Sequence, residues 1–328
     1  MCRATGWLLG DVVVQGTLTT EGYLPYAAGL ASVSTGSGCP LGHQTDGAER
    51  APQLRLPSWV MGDVYLHGHH PSVIASHGVR TAADSAAYLL PHLREGASVL
   101  DVGCGPGTIT LDLAEAVGTG QVIGIEPVDE PLVDARRNAA ARGDARTEFV
   151  RGDVHELPWD NGTFDVVHAH QVLQHLVDPV AALREMARVT RSGGVVAIRD
   201  VDYASMVWYP ETEGMTLWLD LYRRLARANH AMPDAGRRLI AWSRAAGLDD
   251  LAPSASLWTY ATPEQTAWWG GVWARRSLES TFASQAIDRG LAGRADLEQI
   301  SRDWTEWSQH PDAWFAMTHG EVIARVPR

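Results

Sequence analysis

The sequence predicts an α/β fold, a doubly wound and mostly parallel sheet, on three observations. Val99 to Thr110 reads Val-Leu-Asp-Val-Gly-Cys-Gly-Pro-Gly-Thr-Ile-Thr, an apolar run, then glycines at 103, 105 and 107, then helical spacing. From there to Asp200, strand-like and helix-like runs alternate, which calls for parallel strands joined by right-handed crossovers. The strand-like runs are apolar on successive residues rather than every second one, as strands covered on both faces must be.

Taken in order, Val99 to Val102 is the first strand, broken only by Asp101. Glycine at 103, 105 and 107 permits positive φ and lets a ligand touch bare backbone. A helix follows, with Ile109, Leu113, Ala116 and Val117 on one stripe until Gly118 stops it. A second strand, Gln121 to Ile125, ends on Glu126, whose carboxylate can accept hydrogen bonds from both hydroxyls of a ribose. The helix from Pro131 to Arg142 ends at Gly143. A third strand, Glu148 to Val150, runs into Arg151-Gly152-Asp153-Val154 and puts the Asp153 carboxylate where an adenine amino group would lie. A fourth, Phe164 to His168, precedes Asp178-Pro179, an N-cap with proline at the first helical position. Val180, Leu183 and Ala187 share a face of that helix, which Ser192-Gly193-Gly194 closes, and Val195 to Ile198 is the next buried strand. The glycine turn itself is Gly-x-Gly-x-Gly, whereas dinucleotide sites favour Gly-x-Gly-x-x-Gly.

With these residues in hand, the chain resembles the class I S-adenosylmethionine-dependent methyltransferases. It is most similar to the branch that includes the ubiquinone/menaquinone-biosynthesis methyltransferases. The likeness is carried by residues 99–107, Ile-Gly-Ile-Glu (123–126), Gly-Asp-Val (152–154), Phe-Asp-Val-Val-His-Ala-His (164–170) and Arg-Ser-Gly-Gly (191–194), in that order, over residues 95 to 200. It implies a seven-stranded Rossmann-like sheet with an antiparallel last strand, an N-terminal cap and a helical C-terminal insertion. It implies S-adenosyl-L-methionine as cofactor and a small-molecule methyl acceptor as partner. By the same resemblance Gly103, Gly105 and Gly107 lie against the methionine part, Glu126 holds the ribose, and Asp153 with the Val154 amide holds adenine. Asp101, Cys104, Pro127, Ala169 and His170 complete the expected cofactor contacts.

The whole chain has 328 residues and a net charge of −12. It contains no lysine, so all 27 basic residues are arginine, and no basic face for a nucleic acid is expected. Three cysteines, Cys2, Cys39 and Cys104, make no disulfide framework. No apolar run reaches the length of a membrane span, and Trp7-Leu8-Leu9 is too short for a signal-peptide core, so a cytoplasmic protein is expected. The oligomeric state is not legible.

Four segments are expected. Residues 1 to 60 carry nine glycines and no sustained period; they read as a poorly ordered extension, and a chain beginning at Met61 should keep its stability. Residues 61 to 96 form a cap crowded with His67, His69, His70, His77 and His92, with a helix expected from Thr81 to Arg94. His-x-His-His invites a metal, but no cysteine or acid with ligand spacing stands nearby, and none is expected. By the resemblance, Tyr65 and His67 are candidates on the substrate side. Residues 97 to 200 are the cofactor-binding core. Residues 201 to 328 hold ten of the thirteen tryptophans, with helices expected at 213–229, 234–246, 263–287 and 294–308. The resemblance adds closing strands near 253–261 and 313–325.

Methyl transfer from a sulfonium needs a nucleophile placed in line more than it needs covalent help. An apolar or aromatic acceptor suits the tryptophan-rich part. His168, His170 and His175 cluster after the fourth strand. His168 reads as a core histidine and His175 as a local backbone cap, which leaves His170 as the candidate base. Two alternatives stand beside this reading, a non-catalytic S-adenosylmethionine-binding protein and a nucleotide-dependent oxidoreductase.

Overall fold

The structure, a computed structural model, describes residues 80–328. The expected extension, most of the expected cap, and the candidates Tyr65 and His67 therefore lie outside the described residues. The strands are β1 (Val99–Val102), β2 (Val122–Glu126), β3 (Glu148–Arg151), β4 (Phe164–His170), β5 (Thr190–Val201), β6 (Val207–Tyr209), β7 (Asp250–Tyr260) and β8 (Trp314–Arg325). The helices are α1 (Ala82–Ser85), α2 (Thr108–Ala116), α3 (Asp129–Arg142), α4 (Pro179–Val189), α5 (Glu213–Ala228), α6 (Leu239–Ala245), α7 (Pro263–Glu279), α8 (Thr281–Asp288) and α9 (Arg294–Gln309).

Strands β3-β2-β1-β4-β5 lie side by side and parallel, and β8 then pairs antiparallel with β5. β7 lies antiparallel along β8 on its other side. The sheet has eight strands rather than the expected seven. β8 is long enough to overreach β5, whose pairing with it ends at His319, and β6 takes up residues 314–316 beyond that point.

Helices cover both faces. Ile109, Leu113 and Ala114 of α2 pack on Val99, Val122, Val166 and Ala197. Leu183 and Met186 of α4 and Leu239 of α6 pack on Leu100, Ile123, Val167 and Ile198 of the other face. The Asp178 side chain accepts from the Ala181 amide, 2.9 Å, and Pro179 opens α4, so this helix begins where its cap residues direct it.

Several expected helices differ. The run from Thr81 to Arg94 is one α-turn, α1, and a 3-10 turn over Leu90–His92. α1 ends at Ala86, whose φ of −137° leaves helical backbone, and Pro91, which lacks an N–H, stands in the first positions of the 3-10 turn. The span 263–287 is two helices, because the extended Ser280 ends α7 and its hydroxyl caps α8 at the Phe282 amide, 3.2 Å. The span 234–246 starts as a 3-10 turn at Gly236 before α6. Ser192-Gly193-Gly194, expected to close the helix before it, already belongs to β5, which starts at Thr190.

The tryptophans of the C-terminal part mostly build a second core, over the carboxyl ends of the parallel strands. Trp218, Trp273 and Trp304 are fully buried, with Trp218 edge-on to Trp273 at 4.5 Å and to Trp304 at 4.9 Å. No described helix is long and apolar enough to cross a membrane. Because Trp218 sits at the centre of this cluster, Trp218→Ala should cost about 3–5 kcal/mol of stability. Urea unfolding followed by far-UV circular dichroism measures it, and a loss below about 1 kcal/mol would contradict the packing described.

Candidate functional site

The turn between β1 and α2 holds Gly103, Gly105 and Gly107 at φ +69°, +54° and +75°, a region that side chains disfavour. Space presses as hard as backbone geometry. A Cβ on Gly103 would stand 2.3 Å from Val172, and one on Gly107 would stand 2.7 Å from the Phe149 ring. At Gly105 a Cβ would meet nothing closer than 4.0 Å, because this residue turns its backbone toward open space. The amides of Gly103 and Cys104 both bond the Ile125 carbonyl, 2.9 and 3.0 Å, which ties the turn to the end of β2.

That tie sets Glu126 beside the turn. Its Oε1 accepts from the Gly105 amide at 2.6 Å. Burial, with Asp101 nearby, pushes this carboxyl up to about 7 against the pull of the amide. A cavity of about 420 Å³ opens here. Of the predicted contacts, Gly103, Cys104, Gly105, Glu126, Pro127, Asp153, Val154 and His170 line it. Asp153 already accepts from the His155 amide at 2.8 Å through one oxygen.

Asp101, Gly107 and Ala169 do not line the cavity. Gly107 is the residue before α2, and Ala169 is buried on the α4 face of the sheet. Asp101 is buried beneath the turn, where it accepts from Thr110 Oγ1 at 2.6 Å and bonds His168 Nδ1 at 2.7 Å. Its carboxylate is therefore spent inside the protein, pinning β1 to α2 and β4. His168 is fully buried in that pin, and His175 lines the cavity. Burial and Arg80 hold His175 down at about 4.

The far wall was not legible residue by residue. It is built by Tyr203, Met206, Trp258, Tyr260, Trp269, Trp273 and Met317, with Arg80 and Arg276. Tyr260 stacks on Trp269 at 4.5 Å, nearly parallel. A signal was present: Trp258 and Tyr260 alternate on β7, and Trp269, Trp273 and Arg276 follow helical spacing on α7. The acids lining the cavity, Glu126, Asp134 and Asp153, all stand at the glycine-turn end. Among the described residues no group of His, Cys, Asp and Glu is placed to hold a metal ion.

Comparison with known proteins follows the same outline. The family described as "Methyltransferase domain" matches residues 93–245. The chain is similar to an uncharacterized methyltransferase of Schizosaccharomyces pombe, 33% identical over 269 residues, 79% of this chain and 95% of the relative. It is similar to the probable methyltransferase ltbC of Aspergillus luteorubrus, 29% identical over 283 residues, 79% and 96% of the two chains. A shorter likeness, 33% over 117 residues, links it to a demethylmenaquinone methyltransferase of Lactococcus lactis, 35% of this chain and 46% of that one.

The Asp101 pin gives a test of the site's foundation. Asp101→Ala leaves a buried histidine and a buried hydroxyl without their acceptor and should cost about 3–5 kcal/mol in urea unfolding. Asp101→Asn keeps one acceptor oxygen and should cost clearly less. Equal losses for the two variants would show that volume matters here and the carboxylate does not.

Proposed function

Because this chain belongs to the class I S-adenosylmethionine-dependent methyltransferases, we propose that it methylates a small apolar or aromatic molecule held against its tryptophan-rich wall. The observation that carries this reading is one cavity reaching from the glycine turn and Glu126 to Tyr203, Trp258, Tyr260 and Trp269. Donor and acceptor can therefore share one enclosure.

The residues present suit the cofactor. Gly105 exposes bare backbone, and Glu126 is a half-buried carboxylate with one oxygen bonded by the turn. We assign Gly103, Cys104 and Gly105 to the methionine part, Glu126 to the ribose hydroxyls, and Asp153 with the Val154 amide to adenine. Bound there, the cofactor supplies a methyl group already activated on a sulfonium. The chain's own work is to hold the acceptor in line with that methyl and to keep water away. Aromatic side chains do both, since their flat faces align a planar acceptor and leave little room for solvent.

Two measurements test this. Incubation with methyl-labelled S-adenosylmethionine and parallel panels of hydroxylated aromatics and aliphatic amines should label the aromatics; label confined to amines would overturn the acceptor class. Glu126→Ala should weaken cofactor binding at least tenfold in calorimetry, each charge-assisted bond contributing about 1.5–3 kcal/mol. Wild-type protein should not bind NAD.

Glu126 also sets a pH dependence. A carboxylate accepting two hydroxyls must be ionised, and burial holds this one near 7. Cofactor affinity should level off above that pH and fall below it, by up to about tenfold per pH unit. Glu126→Gln should flatten the profile, and an unchanged slope would remove Glu126 from the ribose site.

A further inference from the structure

His170 ends β4 where the cofactor end of the cavity meets the aromatic wall, its ring 5.7 Å from that of Trp258. It is the obvious base in a methyl transfer. We propose the opposite role, resting on the methyltransferase reading above: His170 presents a fixed Nε2–H to an oxygen of the acceptor and takes no proton from it.

The geometry of one contact decides the tautomer. His170 Nδ1 stands 3.3 Å from Nη1 of Arg199. A guanidinium has donors and no acceptor, so the ring must accept at Nδ1. A neutral imidazole carries one proton, and it is left on Nε2. That nitrogen is buried and has no partner among the described residues, although the residue lines the cavity. A buried N–H without an acceptor is costly, so an acceptor oxygen brought to it is favoured.

Arg199 cannot turn away. It is fully buried, its Nε donates to Glu321 at 3.1 Å, and its Nη2 donates to Ser256 at 3.0 Å. Ser256 and Ser254 donate in turn to the two oxygens of Glu321, 2.5 and 2.7 Å. The neighbouring histidine offers no base either. Arg80 donates to Gln171 Oε1 at 3.1 Å, which orients the amide so that its nitrogen donates to His319 Nε2 at 2.8 Å.

The charges around the ring keep it neutral. Arg80 before α1, His168 on β4, Arg199 on β5 and His319 on β8 all disfavour its cation, and burial does so most. Of the carboxylates near these groups, Glu321 on β8 is taken up by Arg199, and Asp101 on β1 by Thr110 and His168. Serine and tryptophan are the β7 side chains placed here, Ser256 on Arg199 and Trp258 beside the ring.

The acceptor class follows. Because His170 takes no proton from it, the acceptor enters as a phenolate or enolate, having left its proton in solvent. Its electron pair forms the new bond to the methyl carbon. The carbon–sulfur bond breaks with its pair staying on sulfur, and the former sulfonium becomes a neutral sulfide. Nε2–H stabilises the entering oxyanion.

Nitrogen-15 histidine spectra of the full chain test the tautomer without any substrate. The His170 signals should show a protonated Nε2 and a bare Nδ1, unchanged between pH 6 and 9. A protonated Nδ1, or a titration within that range, overturns the proposal. The oxygen-reading role is tested with 4-nitrophenolate and nitrobenzene as probes, in the presence of S-adenosylhomocysteine. Wild-type protein should prefer the phenolate at least tenfold, and His170→Phe should lose that preference. No preference in the wild type, whether both probes bind or neither does, overturns it. Failure of S-adenosylhomocysteine itself to bind would instead strike the methyltransferase reading.

Discussion

The ion pair between Arg199 and Glu321 is the constraint on which the rest of the cavity depends. It lies where the parallel half of the sheet meets its antiparallel end, Arg199 on β5 facing Glu321 on β8 in the strand register. Such a pair contributes little net stability, because removing two charges from water offsets their attraction. What it contributes is position. Two serines of β7 complete the hydrogen bonding of Glu321, so three strands are locked at one point. From that point Arg199 sets the tautomer of His170 and lies over the Trp258 ring at 5.0 Å.

The pair of histidines on β4 shows what a sequence can and cannot disclose. His168 and His170 are the same residue two positions apart and point to the same face. Their environments differ because of what stands across from each. His168 lies level with Asp101 on β1, and His170 lies level with Arg199 on β5. One ring is pinned as structure by a carboxylate and the other is turned into a donor by a cation. Neither partner is near in sequence, and a shift of register by one residue would turn both rings to the other face of the sheet.

The same distinction separates the parts of the fold that were legible from those that were not. The glycine turn, Glu126 and the capped start of α4 are local, since a few consecutive residues state both the conformation and its reason. The split of α7 from α8 at Ser280 is local too, but its signal is one capping serine within Glu279-Ser280-Thr281, in a stretch of otherwise helical spacing. The extra strand β6 has no local signal at all; it exists because β8 runs past the end of β5. The aromatic wall gathers residues from 203 to 317, and only the long-range pairing of β7 with β8 brings Trp258 and Tyr260 to a site whose other end is residue 103.

The absence of lysine takes on physical meaning inside this site. Burial draws Arg199 down to about 10, so it remains cationic at any pH the protein meets. A lysine ordinarily titrates near 10.4, and an equal fall would bring it to about 8, within reach of losing its charge. Its single ammonium would also be unable to hold Glu321, Ser256 and His170 at once, as the planar fork of arginine does. A cation that never switches off keeps a neighbouring imidazole neutral and of one tautomer. The donor at the cavity wall is thereby constant, and the variable charge of the site is left to Glu126 at the cofactor end.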